Sequence, residues 1–238
     1  MVNNQSIIFK CSSHIGYKRT VNEDAYGAYP DLGLWIVADG MGGHNSGSVA
    51  SNMAIEQMFI QVKNGLPLTT AIQNSHKAIL VAGETDQLNE GMGSTIVALK
   101  LDGAFYEIAA VGDSRAYLFA NNTLKQITRD HTLVQDLINE GTITDEQAKI
   151  HPHRNILTQA LGSTHHSEVM IDIFEGELHI GDQLLLCTDG LTNRIRDYKI
   201  ECLLRESQSL QEANDNLIKA ALAMGGQDNI TVTLIQYI

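Results

Sequence analysis

Two patterns alternate along this chain: short unbroken apolar runs, and longer segments where apolar residues recur every three or four positions. Residues 34–38, Leu-Trp-Ile-Val-Ala, leave no polar side and read as a strand buried on both faces. Residues 6–11, 94–101, 104–111, 116–119, 124–127, 169–174, 183–188 and 230–237 read as further strands, the last alternating Thr with apolar residues. Asp102-Gly103 and Asn121-Asn122 stand between consecutive strands as tight hairpin turns. Helical spacing predicts helices over 48–62 (Ala50, Met53, Ala54, Met58, with Ser46 as cap), 68–88, 197–206 and 210–224. Residues 132–150 also turn helical, with a break at Gly141, while 16–24 reads as a polar loop. Strands in hairpins and helices in consecutive pairs argue for an α+β fold, antiparallel sheets covered by helices, over a doubly wound parallel sheet.

Composition changes this picture little. The chain has 238 residues, 43% of them hydrophobic, enough for a sizeable core. Pro30, Pro67 and Pro152 are the only prolines, and no linker, repeat or low-complexity run interrupts the chain, so one domain over 1–238 is expected. The formal charge of −12 lacks the basic footprint that nucleic acid or an anionic membrane needs. It leaves two readings open: plain solubility, or carboxylates gathered around a cation. Cys11, Cys187 and Cys202 are odd in number and show no zinc-type spacing, which suits a reducing compartment. No signal-peptide pattern and no apolar run of membrane-spanning length is visible, so a soluble cytoplasmic protein is expected.

The chemistry concentrates where strands end. Asp39, Asp113, Asp189 and Asp228 each stand at such a place, and Glu23 and Asp24 lie on an early loop. Any one Asp-Gly pair can be a simple turn, as Asp102-Gly103 is, because a second strand follows it at once. If the strands lie in neighbouring sheets, however, their acids converge and raise one another's pKa values. A divalent cation removes that conflict, and oxygen-only donors favour Mg²⁺ or Mn²⁺ over zinc. Two such ions can activate a water for in-line attack at phosphorus, and an arginine to hold the phosphate is available in Arg19.

Taken together, these residues resemble the type-2C metal-dependent serine/threonine protein phosphatases in their bacterial form. The resemblance runs in order through Arg19-x-x-Asn22-Glu23-Asp24, Val37-Ala38-Asp39-Gly40-Met41-Gly42-Gly43-His44 and Gly93-Ser94-Thr95. It continues through Gly112-Asp113-Ser114-Arg115-Ala116-Tyr117, Asp130-His131-Thr132 and Asn155-x-Leu157-Thr158-x-Ala160-Leu161-Gly162. Thr188-Asp189-Gly190-Leu191 and Gln227-Asp228-Asn229-Ile230-Thr231 complete it.

The resemblance implies a four-layer α-β-β-α sandwich of two antiparallel sheets, with two Mn²⁺ or Mg²⁺ ions in a cleft at one end. It implies that Asp39 bridges both ions, that the Gly40 carbonyl binds one, and that Asp189 and Asp228 complete the other. Glu23 and Asp24 would hold metal-bound waters, Asp113 a third ion with Asp189, and Arg19 the substrate phosphate. The stretch at about 131–154 would be the family's flap. Animal-type members have a histidine directly after the first Asp-Gly as general acid; here Met41 stands there, and His44 is the nearest histidine, either a proton donor or a loop-packing residue. Gln159 stands where many bacterial relatives carry Arg. His151, His153, His165 and His166 read as flap and loop residues rather than ligands. Phosphorylated Ser/Thr proteins are the expected substrates and a cognate Ser/Thr kinase the expected counterpart, with the phosphatase a monomer. A catalytically silent binding module on the same fold, and a phosphatase for small molecules, are the competing readings.

Overall fold

Which side of each strand is apolar decides how the layers stack. A computed structural model describes residues 7–43 and 46–238. Its strands are β1 (Ile7–His14), β2 (Asp24–Tyr29), β3 (Leu34–Met41), β4 (Gly93–Ser94), β5 (Ile96–Asp102) and β6 (Phe105–Val111). They continue with β7 (Arg115–Ala120), β8 (Thr123–Gln126), β9 (Asp172–Glu177), β10 (Gln183–Cys187) and β11 (Ile230–Tyr237). The helices are α1 (Ser46–Lys63), α2 (Leu68–Thr85), α3 (Leu133–Asn139), α4 (Asp145–Lys149), α5 (Asp189–Thr192), α6 (Asp197–Glu206) and α7 (Leu210–Ala223). One sheet runs β1-β11-β10-β7-β8; the other runs β2-β3-β5-β6-β9, with β4 paired to β3. Every pairing is antiparallel.

Side chains alternate across a strand, so each sheet feeds two cores. From β3, Leu34, Ile36 and Ala38 pack with Ala54 and Met58 of α1 and Ile72 and Ile79 of α2. The odd residues Trp35 and Val37 face the other way, against Leu184, Leu186, Ile235 and Tyr237 of the opposite sheet. On that sheet's far side, Leu185, Cys187, Val232 and Leu234 meet Ile200 and Leu204 of α6 and Leu217 and Ala221 of α7. Three cores between four layers make the α-β-β-α sandwich, the architecture expected from the chain.

Several boundaries differ from the sequence reading, each for a physical reason. β2 was not predicted: Asp-Ala-Tyr-Gly-Ala-Tyr lacks β-branched residues, and its pairing with β3 over Asp24↔Asp39 to Tyr29↔Leu34 supplies what propensity does not. β3 does not stop at Ala38; Gly40 and Met41 go on to pair with Ser94 and Gly93, so Asp39 lies inside the strand. The hairpin after β5 turns on Gly103 and Ala104, closed by Asp102↔Phe105, one residue later than Asp102-Gly103. Asn121 and Asn122 both adopt positive φ (52° and 60°), as a two-residue hairpin turn requires. β9 begins at Asp172 rather than 169, because the Val169 backbone is bonded to the Gln73 side chain. α1 begins at Ser46, which is thus the first helical residue and not the cap. α2 ends at Thr85, where the Asp86 side chain accepts from the Leu88 N–H and starts a 3-10 turn.

Candidate metal centre

The strand parity that puts Trp35 and Val37 between the sheets puts Asp39 there too, at the open end of that layer. Asp24 is its direct partner across the β2–β3 pair. From the facing sheet come Asp189, just after β10, and Asp228, just before the neighbouring β11. Asp113 sits where the chain crosses from β6 in one sheet to β7 in the other. Five acids that are distant in sequence therefore meet at one end of the sandwich.

Small polar side chains hold this arrangement. The Thr95 hydroxyl accepts from the Asp39 N–H (3.0 Å) and bonds the Ser114 hydroxyl (2.7 Å), tying β3 to the Asp113 turn. Thr188 and Thr231 both donate to one oxygen of Asp24, Oδ2, at 2.8 and 2.7 Å. Asn229 accepts from the Glu23 N–H (2.8 Å) and donates to the carbonyls of Ile15 (2.9 Å) and Val21 (3.0 Å), so it pins the 15–23 loop. The Gly40 N–H donates to the Glu23 carbonyl (3.0 Å). A Cβ on Gly40 would collide with the carbonyl of Gly47, and one on Gly190 with the carbonyl of Asn229. Both Asp-Gly pairs are thus places of close backbone approach and not free turns. Beneath Asp113, Arg115 grips Asp130 with its fork (Nε–Oδ1 2.8 Å, Nη2–Oδ2 2.7 Å) and donates to the Tyr117 hydroxyl (3.0 Å).

Asp39, Asp113, Asp189 and Asp228 line a cleft of about 480 Å³, together with Arg19, Glu23 and Gly40. The 155–166 segment lines it too, through residues including Thr158, Gln159, His165 and His166. Arg19 forms a two-pronged pair with Asp228 (Nε–Oδ1 2.8 Å, Nη2–Oδ2 2.9 Å), and this bond raises the guanidinium's pKa. Burial, followed by repulsion from the neighbouring acids, pushes Asp39 and Asp113 well above the usual carboxylate range. Burial likewise pushes Asp24 up to about 7, against the two threonine hydrogen bonds, and Asp189 up to about 6. Asp39 feels the charges of Asp24, Asp189, Asp113 and Asp228 together, so these carboxyls lie close to one another.

These features test the fit of a divalent cation. Buried acids gathered this closely need protons or a shared cation. Asp24 Oδ1 is buried without a hydrogen-bond partner and is free to hold a cation's water. Among the described residues no three His, Cys, Asp or Glu side chains are gathered so as to hold an ion by themselves. Such a donor set suits a hard cation that keeps several waters and takes few carboxylates. The residues present fit.

The structure brings Arg19, Glu23, Asp39, Gly40, Asp113, Asp189 and Asp228 to the cleft, and Asp24 directly behind it. His44 lies outside the described residues. Thr95, Thr188, Asn229 and Thr231 stand in the motifs that carry the resemblance, but the sequence reading assigned them no role of their own. His165 and His166, read only as loop residues, line the cleft. Gln159 does as well, its Oε1 accepting from the Met170 N–H (3.1 Å).

Comparison with known proteins agrees with this geometry. The family model of protein phosphatase 2C matches residues 12–224. The serine/threonine phosphatase stp of Listeria welshimeri is 42% identical over 234 residues, covering 93% of this chain and 92% of its own. The crystal structure of the Mycobacterium tuberculosis serine/threonine phosphatase PstP/Ppp superposes with a TM-score of 0.88 at 36% identity, covering 97% of this chain and 98% of its own. A structure of the PstP catalytic domain in complex with two manganese ions has a TM-score of 0.85 at 33% identity, covering 99% and 100%. The chain belongs to the protein phosphatase 2C family.

Proposed function

We propose that this chain hydrolyses phosphoserine and phosphothreonine in proteins, using two divalent cations, Mn²⁺ or Mg²⁺, at the carboxylate end of the cleft. The convergence of Asp39, Asp113, Asp189 and Asp228 in one cleft, with Asp24 paired to Asp39 behind it, carries this reading. In it Asp39, the Gly40 carbonyl, Asp189 and Asp228 would hold the two ions, Glu23 and Asp24 would hold waters on them, and Asp113 with Asp189 would take a weaker third ion. When bound, the ions neutralise the acids and supply the means to activate water at neutral pH.

The chain's own groups do the rest. Arg19 is the one arginine or lysine among the described residues lining the cleft. Its planar fork, now on Asp228, matches a phosphate equally well, and it would be free for the substrate were Asp228 to hold a cation instead. His44 is the proposed donor of the proton that the departing serine or threonine oxygen takes up. The phosphomonoester bond breaks, water supplies the new oxygen on phosphorus, and the products are a free hydroxyl and inorganic phosphate.

The 131–154 stretch, carrying α3 and α4, acts as a flap beside the cleft of a single domain spanning 1–238. The enzyme works as a monomer in this reading. Its reaction requires a kinase that phosphorylates serine or threonine. No described helix is long and apolar enough to cross a membrane, and three free cysteines fit the reducing cytoplasm.

Phosphate release from a phosphothreonine peptide tests the reading. Activity should require Mn²⁺ or Mg²⁺, vanish with EDTA, and fall more than about 100-fold in Asp39→Asn. A folded wild-type protein that stays inert with both metals on several phosphopeptides would instead be a binding module.

A further inference from the structure

Helix α2 lies on the outer layer and contributes no residue to the cleft lining, yet two of its side chains hold the cleft's far wall. His76 is completely buried. Its Nδ1 accepts from the Gly162 N–H (3.1 Å), so its proton is on Nε2, which donates to the His166 carbonyl (3.2 Å). One ring thus closes the 162–166 loop from both ends. One turn earlier on the same face, Gln73 does the same for the next residues. Its Nε2 donates to the Val169 carbonyl (2.7 Å), and its Oε1 accepts from the Val169 N–H (3.2 Å).

The loop so held is not free to settle elsewhere. Leu161 is bonded both ways to Ser94 (3.0 and 2.8 Å), and the Ser94 hydroxyl donates to the Asp39 carbonyl (3.1 Å). Gly162 takes a φ of +78°, where a Cβ would strike Ile79 of α2. Ser163, His165 and His166 line the cleft that the acids also line. Burial lowers the pKa of His76, with Lys77 and His166 adding to this and the His166 carbonyl opposing it. The neutral ring, the form both bonds need, is thereby favoured.

We propose that Gln73 and His76 are positioning residues, His76 holding the 162–166 part of the cleft wall and Gln73 anchoring the chain just after it at Val169, and that through this wall they set the recognition of the polypeptide around the phosphorylated residue. The inference rests on the phosphatase reading of the cleft. Ser163, His165 and His166 line the same cleft as the acids, and a peptide, which extends further from its phosphate than a small aryl group, is the substrate that feels their displacement.

The test compares a phosphothreonine peptide with p-nitrophenyl phosphate, both with Mn²⁺, in wild type, His76→Phe, His76→Gln and Gln73→Leu. Losing these hydrogen bonds in His76→Phe or Gln73→Leu should raise KM for the peptide about five-fold or more. The values of kcat for both substrates, and KM for p-nitrophenyl phosphate, should stay within about two-fold of wild type. His76→Gln, which keeps one donor and one acceptor, should restore much of the peptide KM. Thermal melts identify any variant that does not fold, in which case the other substitution decides. Folded variants with unchanged peptide KM, or with parallel losses on both substrates, overturn the proposal. A wild type inert on both substrates would instead remove the phosphatase reading beneath it.

Discussion

Arg19 is half-exposed and its partner Asp228 is also open to solvent, so their ion pair adds little to stability. Its value lies in geometry: five N–H donors in a rigid plane, already aimed along the row of acids. Replacing Arg19 by Ala should raise the KM for a phosphothreonine peptide about ten-fold with little change in melting temperature. Arg19→Lys should recover only part of this, since a point charge replaces a fork. Equal KM values for Lys and wild type in steady-state assays would show that charge alone suffices. At the same scale, Asp24 illustrates how one residue divides its work. Oδ2 is tied down by Thr188 and Thr231, which leaves Oδ1 as the oxygen available to the site.

Among the elements, the Asp-Gly junctions show how similar local sequences take different tasks. After β5, Gly103 has a φ of +62° and open space around it; it is a turn and nothing more. At the start of α5, Gly190 packs directly on the Asn229 backbone, which keeps Asp189 and Asp228 side by side. Gly103→Ala should therefore cost about 1 kcal/mol, for the left-handed backbone alone. Gly190→Ala should cost about 3 kcal/mol, because backbone must move to admit the methyl group. Urea unfolding, with midpoints compared at unchanged slope, measures both. Similar losses in the two variants would mean that the β10–β11 end yields easily.

For the molecule as a whole, the acid cluster links stability to pH and metal. Asp24 and Asp189 have folded-state values of about 7 and 6, above the ordinary 3.8. An acid raised on folding binds its proton more tightly when folded, so its contribution is complete below the unfolded value and lost as pH rises through the folded one. Metal-free protein should accordingly lose melting temperature between about pH 4 and pH 7. Mn²⁺ must displace these protons, so it should raise the melting temperature more at pH 7.5 than at pH 5. Thermal melts across pH with EDTA or Mn²⁺ decide this; a metal-free melting temperature that climbs from pH 4 to 7 would contradict the clustered arrangement.

Much of this was legible in the chain. Unbroken apolar runs marked the central strands, helical spacing marked α2, α6 and α7 within a few residues, and hairpin signals pointed to antiparallel sheets. The ordered motifs from Arg19 to Thr231 marked the family and named the acids. What escaped the sequence is what depends on distant partners. β2 is a strand because β3 lies beside it. Asp39 lies within a strand because Ser94 and Gly93 extend the pairing. Thr95, Thr188 and Asn229 are hydroxyls and amides of ordinary local appearance, and only the folded chain shows which backbone and carboxyl atoms they reach. His76 and Gln73 sit on a helix the sequence did predict, but their bonds to residues 162, 166 and 169 span about ninety positions of chain. Local patterning determined the elements and the chemical types available, because side-chain period and backbone preference act over a few residues. The convergence of five acids, their raised pKa values and the held cleft wall were decided only by tertiary structure, because burial and charge repulsion depend on distance in space.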